Sequence, residues 1–160
     1  MTSILVMGVS GCGKTTVAAG VAQRLGWPLR EGDAFHPPAN VAKMASGTPL
    51  TDEDRWPWLR AIAADAAKHD NCVIACSALK RAYRAIIAPD VLVYLQGTRT
   101  PIAERLAARK GHFMPPTLLD SQFATLEPPG PDENPIVVPI DPPPDILIEA
   151  VIARLKERLP

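Results

Sequence analysis

The sequence predicts an α/β domain: a parallel sheet covered by helices on both faces. Three observations carry this. Short runs that are apolar throughout alternate with longer segments whose apolar residues recur at helical spacing. The runs lack the in-out alternation of a half-solvated sheet, so both of their faces are to be buried. A glycine-rich loop joins the first such run to the first helical segment.

Taken in order, Ile4–Met7 reads as a buried strand, and Thr15–Leu25 as a helix carrying Val17, Ala18, Val21, Ala22 and Leu25 on one face. Pro28–Glu31 fits a short second strand. Thr51-Asp52-Glu53-Asp54 has the composition of a helix start, with Trp58, Leu59, Ile62, Ala63 and Ala66 following on one side. Cys72–Cys76 is strand-like, Leu79–Ile87 helical, and Val91–Leu95 the clearest strand. Pro101–Arg109 reads as a helix with proline in its first turn. Ile136–Val138 is a last strand, and Asp145–Leu159 a closing amphipathic helix. Ten of the 18 prolines fall between Pro115 and Pro144, so that stretch accommodates short elements only.

A length of 160 residues suits one domain. Lys+Arg and Asp+Glu are both 17, and this balance argues against nucleic acid or an anionic membrane as a general partner. No apolar run approaches the ~18 residues of a membrane span. The first residues lack the basic start and cleavage site of a signal peptide. Cys12, Cys72 and Cys76 are expected as reduced thiols of a cytoplasmic protein.

Gly8-Val9-Ser10-Gly11-Cys12-Gly13-Lys14-Thr15 fits G-x-x-x-x-G-K-[ST] at every fixed position, between a strand and a helix. Such glycines let the backbone wrap an anion and turn N–H groups inward, and the helix N-terminus adds its positive end. Candidate nucleotide contacts are Gly8, Ser10, Gly11, Cys12, Gly13, Lys14, Thr15 and Thr16. Lys14 is placed to reach the β- and γ-phosphates, and Thr15 to offer its hydroxyl to Mg²⁺. Cys12 is read as a filler of the loop. The motif implies a nucleoside triphosphate without specifying a reaction. No Asn-Lys-x-Asp guanine signature is present, and no apolar strand ends in a Walker B acid; the nearest acids are in Glu31-Gly32-Asp33.

Glu31 and Asp33 follow the second strand, where loops gather beside the phosphate loop in a doubly wound sheet. One carboxylate could hold water around Mg²⁺ and the other accept a proton from an attacking hydroxyl; the alternative is a solvated turn. Arg55 lies at a helix start, where the dipole disfavours a cation, so either an anionic ligand or a surface salt bridge accounts for it. Lys80 and Arg84 share a helical face at i,i+4. Arg105 and Arg109 precede Gly111 at the same spacing and suit a closing segment over phosphates, or an exposed basic helix end. His36 and His112 have no companion at zinc-ligand spacing, and Trp56 and Trp58 are expected to pack.

The chain resembles the bacterial gluconokinases of the shikimate-kinase-like, nucleoside-monophosphate-kinase-like P-loop kinase group. The likeness runs through Met7–Thr15, Glu31-Gly32-Asp33-Ala34-Phe35-His36-Pro37, Asn40–Arg55, Pro57-Trp58-Leu59, Cys76–Arg84, Arg105–Phe113 and Ser121–Glu127, covering nearly the whole chain in order. It implies a single P-loop small-molecule kinase domain over 1–160 with a five-stranded parallel sheet, a lid near 105–120 and a homodimer. It implies cytoplasmic ATP- and Mg²⁺-dependent phosphorylation of D-gluconate to 6-phospho-D-gluconate. On this resemblance Asp33 orients or deprotonates the acceptor hydroxyl. Arg55, Lys80 and Arg84 match basic positions for the gluconate carboxylate and the transferred phosphoryl. His36, Lys43 and Glu127 carry over to the acceptor pocket, Arg105 and Arg109 to the lid, and Asp141-Pro142 to the adenine contact. Glu31 stands where related kinases often place Asp. A shikimate or nucleoside monophosphate kinase on the same scaffold, or a nucleotide-binding regulatory module, are the alternative readings.

Overall fold

A computed structural model describes residues 2–9, 11–97 and 116–159. Its five strands are β1 (Thr2–Met7), β2 (Leu29–Glu31), β3 (Asn71–Ala75), β4 (Val91–Gln96) and β5 (Ile136–Pro139). They form one sheet in the order β2-β3-β1-β4-β5, with every pairing parallel. The helices are α1 (Lys14–Leu25), α2 (Pro38–Ala45), α3 (Asp52–Ala66), α4 (Arg81–Ile87), α5 (Pro116–Thr125) and α6 (Pro144–Lys156). The expected α/β class, with five parallel strands, is the observed one.

The central strands are buried on both sides because alternate side chains enter different cores. Ile4, Val6, Val73, Ala75, Val93 and Leu95 pack with Val17 and Val21 of α1 and Val151 of α6. Leu5, Met7, Ile74 and Leu92 pack with Leu59 and Ile62 of α3 and Tyr83 and Ile87 of α4. Helix α1 thus leaves β1 on one face and α4 follows β3 on the other. Because β1 and β3 are neighbours, a crevice opens beyond their carboxyl ends, the position where ligands bind in open α/β sheets.

Two helices are additions to the sequence reading. Helix α2 begins on Pro38 at a favourable first-turn position and, at eight residues, is too short for an apolar pattern to repeat. Helix α5 starts at Pro116 and ends before Pro128, so it fits between the prolines that forbid anything longer. The helix expected over Pro101–Arg109, with Arg105, Arg109 and most of the 105–120 lid, lies outside the described residues, as do Ser10 and His112.

Candidate active site

The phosphate loop is shaped by close approach. A Cβ added at Gly8 would lie 2.6 Å from Cys12 Sγ and 3.0 Å from the Leu95 carbonyl oxygen, so no side chain fits there. Gly13 has φ +91°, a left-handed conformation that side chains disfavour. No side chain caps α1 at Gly13, which leaves the first-turn N–H groups directed at the loop's concavity. Cys12 is fully buried and fills the loop. Lys14 Nζ donates to the Val9 carbonyl at 3.3 Å, lying along the loop. A cavity of about 400 Å³ beside the loop is lined by Gly11, Gly13, Thr16, Asp141, Pro142 and Pro143 among others, which brings the segment expected near adenine next to the phosphate cradle.

The Thr15 hydroxyl donates to Glu31 Oε2 at 3.2 Å. The other oxygen, Glu31 Oε1, is buried without a hydrogen-bond partner. A buried carboxylate oxygen left unpaired is costly, so the position calls for a cation or its water. Two hard oxygen donors beside a phosphate cradle fit Mg²⁺, which takes few protein ligands and completes its shell with phosphates and water.

The second cleft is lined by His36, Arg55, Trp58, Ser77, Tyr83 and Gln122 among others. Asp33 stands in the single 3₁₀ turn after β2, its side chain 83% exposed, with Oδ1 4.0 Å from His36 Nε2. The His36 ring stacks on Trp58 at 4.0 Å, and Trp58 Nε1 donates to the Gly32 carbonyl at 2.8 Å. Burial pushes the His36 pKa down to about 4, against the upward pull of Asp33 and with help from Arg55, so the ring is neutral.

Arg55 is held from below. Its Nη1 donates to the Tyr83 hydroxyl at 2.9 Å, and that hydroxyl donates to Asp52 Oδ1. Lys80 Nζ donates to the same carboxylate at 3.1 and 3.2 Å. The Tyr83 and Lys80 hydrogen bonds hold Asp52 below its usual carboxyl range, while burial and then the Asp52 bond push Tyr83 up to about 12. Both groups keep these protonation states at neutral pH, and Arg55 remains aimed along the cleft wall.

Three residues expected at the acceptor pocket are engaged by other parts of the chain. Arg84 is 3% exposed and all its donors are spent: Nε and Nη2 on the Glu133 carboxylate, Nη1 on the Ala78 and Leu79 carbonyls, and Nη2 also on the Glu127 carbonyl. It clamps the segment after α5 to the loop after β3 and has nothing left for an anion. Glu127 Oε1 accepts from the Arg81 backbone N–H and so caps α4. Lys43 Nζ donates to Asp54 Oδ2 at 2.7 Å, tying α2 to the start of α3. Like Asp33 and Lys80, neither is among the residues that line the cleft. Conversely, Tyr83, Trp58 and Asn40 belong to the site's framework without being assigned from the sequence. The one available signal was Asn40, an amide among Pro38, Ala39, Val41 and Ala42; Tyr83, between Arg81 and Arg84, carried none.

A triphosphate cradle opening beside a cleft with an exposed carboxylate and a directed arginine defines a P-loop kinase of small molecules. The family model for shikimate kinase matches residues 10–124. A gluconokinase from Gluconobacter oxydans is 51% identical over 162 residues, covering 96% of this chain and 90% of that protein. A crystal structure of a gluconokinase from Sinorhizobium meliloti superposes with TM-score 0.90 at 43% identity, covering 98% of this chain and 92% of the other. An unliganded sugar kinase from Janibacter gives TM-score 0.90 at 48% identity, covering 98% and 95%. The chain belongs to the gluconokinase family within the shikimate-kinase-like P-loop kinases.

Proposed function

We propose that this chain transfers the γ-phosphoryl group of ATP to the 6-hydroxyl of D-gluconate, giving 6-phospho-D-gluconate. The observation that carries the reading is the pairing of two sites of different chemistry. One is a glycine-built phosphate cradle with Lys14; the other is a cleft lined by Arg55 and by His36, whose Nε2 lies 4.0 Å from the exposed Asp33 carboxylate. Phosphoryl transfer requires in-line positioning and charge neutralisation more than covalent chemistry. Lys14 is assigned to the β- and γ-phosphates, and Arg55 to the substrate carboxylate, with Lys80 acting through Asp52. Asp33 orients the acceptor hydroxyl and takes its proton. Thr15 and Glu31 would hold Mg²⁺, which when bound neutralises phosphate charge.

Further parts of the proposal rest on the family resemblance. Arg105 and Arg109 act from a lid over 105–120, the domain spans 1–160 as a homodimer, and the enzyme works in the cytoplasm. No described helix is long and apolar enough to cross a membrane. The test is a coupled ADP-release assay offering gluconate, shikimate and nucleoside monophosphates in turn. Turnover with gluconate alone is expected. Preference for another acceptor, or ADP release indifferent to any acceptor, would refute the assignment.

A further inference from the structure

Asn40 is buried, 3% exposed, on the inner side of α2. Its amide nitrogen Nδ2 donates to the Asp54 carbonyl at 2.9 Å and lies 3.2 Å from His36 Nδ1. A carbonyl oxygen can only accept, so the atom facing it is the NH₂ group of the amide. His36 Nδ1, facing the same NH₂ group, must therefore be the acceptor and carries no proton. The ring proton is left on Nε2. That nitrogen faces Asp33 Oδ1 at 4.0 Å, and His36 lines the cleft. The gap is too long for a direct hydrogen bond. A hydroxyl oxygen seated between them would accept from Nε2–H and donate to the carboxylate.

We propose that Asn40 is a positioning residue that fixes His36 as a neutral Nε2–H donor to a hydroxyl of the acceptor polyol, beside Asp33. The inference rests on the gluconate reading for the identity of that hydroxyl, and on geometry alone for the tautomer. The surroundings agree. Asp33 faces the ring from the turn after β2, and Arg55 from α3 opposes its protonation. Asp54 offers only its backbone carbonyl to Asn40, because its carboxylate is engaged by Lys43 and the Thr51 N–H. The Trp58 stack fixes the ring plane. A neutral ring adds no positive charge to the cleft, so the charge that faces a substrate carboxylate there is that of Arg55.

The tautomer is read directly by ¹⁵N spectroscopy of the full chain labelled at histidine, with His36→Gln assigning the signal. A neutral ring protonated at Nε2 from pH 8 to pH 5, without gluconate present, is expected. A ring protonated at Nδ1, or charged at pH 7, overturns the proposal whatever the substrate proves to be. In Asn40→Asp an acceptor oxygen replaces the donor, so the ring should charge near neutrality. Above that raised pKa the neutral ring carries its proton on Nδ1 and the Nε2–H donor is lost, so the gluconate KM there should rise about 10-fold, with the ATP KM held within about twofold. The kcat/KM for gluconate should also gain a new pH-dependent limb between about pH 5 and 8. Should that variant fail to fold, glutamine and asparagine at position 36 decide. Glutamine places its amide nitrogen where Nε2 stood and is expected to retain most gluconate affinity, whereas His36→Asn loses it. Equal gluconate KM values in wild type, His36→Gln and His36→Asn would overturn the donor role even with the tautomer as drawn. Failure of gluconate as a substrate would sink the functional reading and leave the tautomer standing.

Discussion

Lys14 and Asp33 differ in what they can be expected to disturb. Lys14 is partly exposed and bonds only to a loop carbonyl, so its removal leaves both cores intact. Lys14→Ala should lower kcat by about two to three orders of magnitude, in line with loss of one preorganised charge-stabilising group, with an unchanged circular dichroism spectrum. Turnover like the wild type would remove Lys14 from the reaction. Asp33 is more exposed still, and Asp33→Asn keeps its shape while removing its basicity. ATP binding should persist while phosphoryl transfer is lost, as single-turnover measurements can show. Arg84 presents the opposite case. Replacing it with leucine removes the guanidinium from the Glu133 carboxylate, itself held below its ordinary pKa by Arg84, and from three carbonyls, of which Leu79 keeps the Glu127 N–H. Removing one partner of a buried ion pair costs about 3–5 kcal/mol, so urea denaturation should show a loss of that order. A change below about 1 kcal/mol would mean that water replaces the clamp.

Helix α3 supplies Arg55 and Trp58 to the acceptor cleft, and its first turn decides where Arg55 points. Thr51 Oγ1 accepts from the Asp54 N–H at 3.1 Å, and Asp54 Oδ2 accepts from the Thr51 N–H at 2.8 Å, a reciprocal capping box. Thr51→Ala should cost about 1 kcal/mol in chemical denaturation, the usual value of an N-cap. The Lys43 bond, then the Thr51 backbone, lowers the Asp54 pKa to about 2 from an ordinary 3.8. A group with a depressed folded pKa contributes stability above its unfolded value and loses it on acidification. The contribution from Asp54 should therefore be complete above about pH 4 and vanish by about pH 2, and Lys43→Met should flatten that part of the urea midpoint's pH profile. This start was legible because cap and box lie within four consecutive residues. Strands β1 and β4 were legible because burial on both faces leaves them apolar throughout. Helix α2 was hidden by its length, eight residues giving an apolar pattern no room to repeat. The partners of Arg84 were hidden because its i,i+4 spacing from Lys80 says nothing of residues 127–133, which return to meet it only in three dimensions. The phosphate loop is contiguous and could be read directly. The acceptor cleft draws on α2, α3, the loop after β3 and α5, so no local spacing could reveal it.

The sheet places the two sites on adjoining strand ends, so each ligand should report on the fold through its own site. The cradle hangs between β1 and α1, which bind the core shared with α6; the cleft leans on α3 and α4, which close the other core. A ligand bound only by the folded state adds RT ln(1 + [L]/Kd), about 2.7 kcal/mol at one hundred times Kd. At roughly 2–4 °C per kcal/mol for a chain of this size, saturating Mg·ATP should raise Tm by about 5–10 °C. Gluconate at a comparable multiple of its Kd should do the same through separate contacts. In Lys14→Ala the ATP shift should largely vanish while the gluconate shift remains, and in Arg55→Met the pattern should reverse. The two shifts need not be additive, since a donor phosphoryl and an acceptor hydroxyl brought into line also contact each other. Loss of both shifts in either variant, with the unliganded Tm unchanged, would mean that one site serves both molecules and that the division of labour drawn here is wrong.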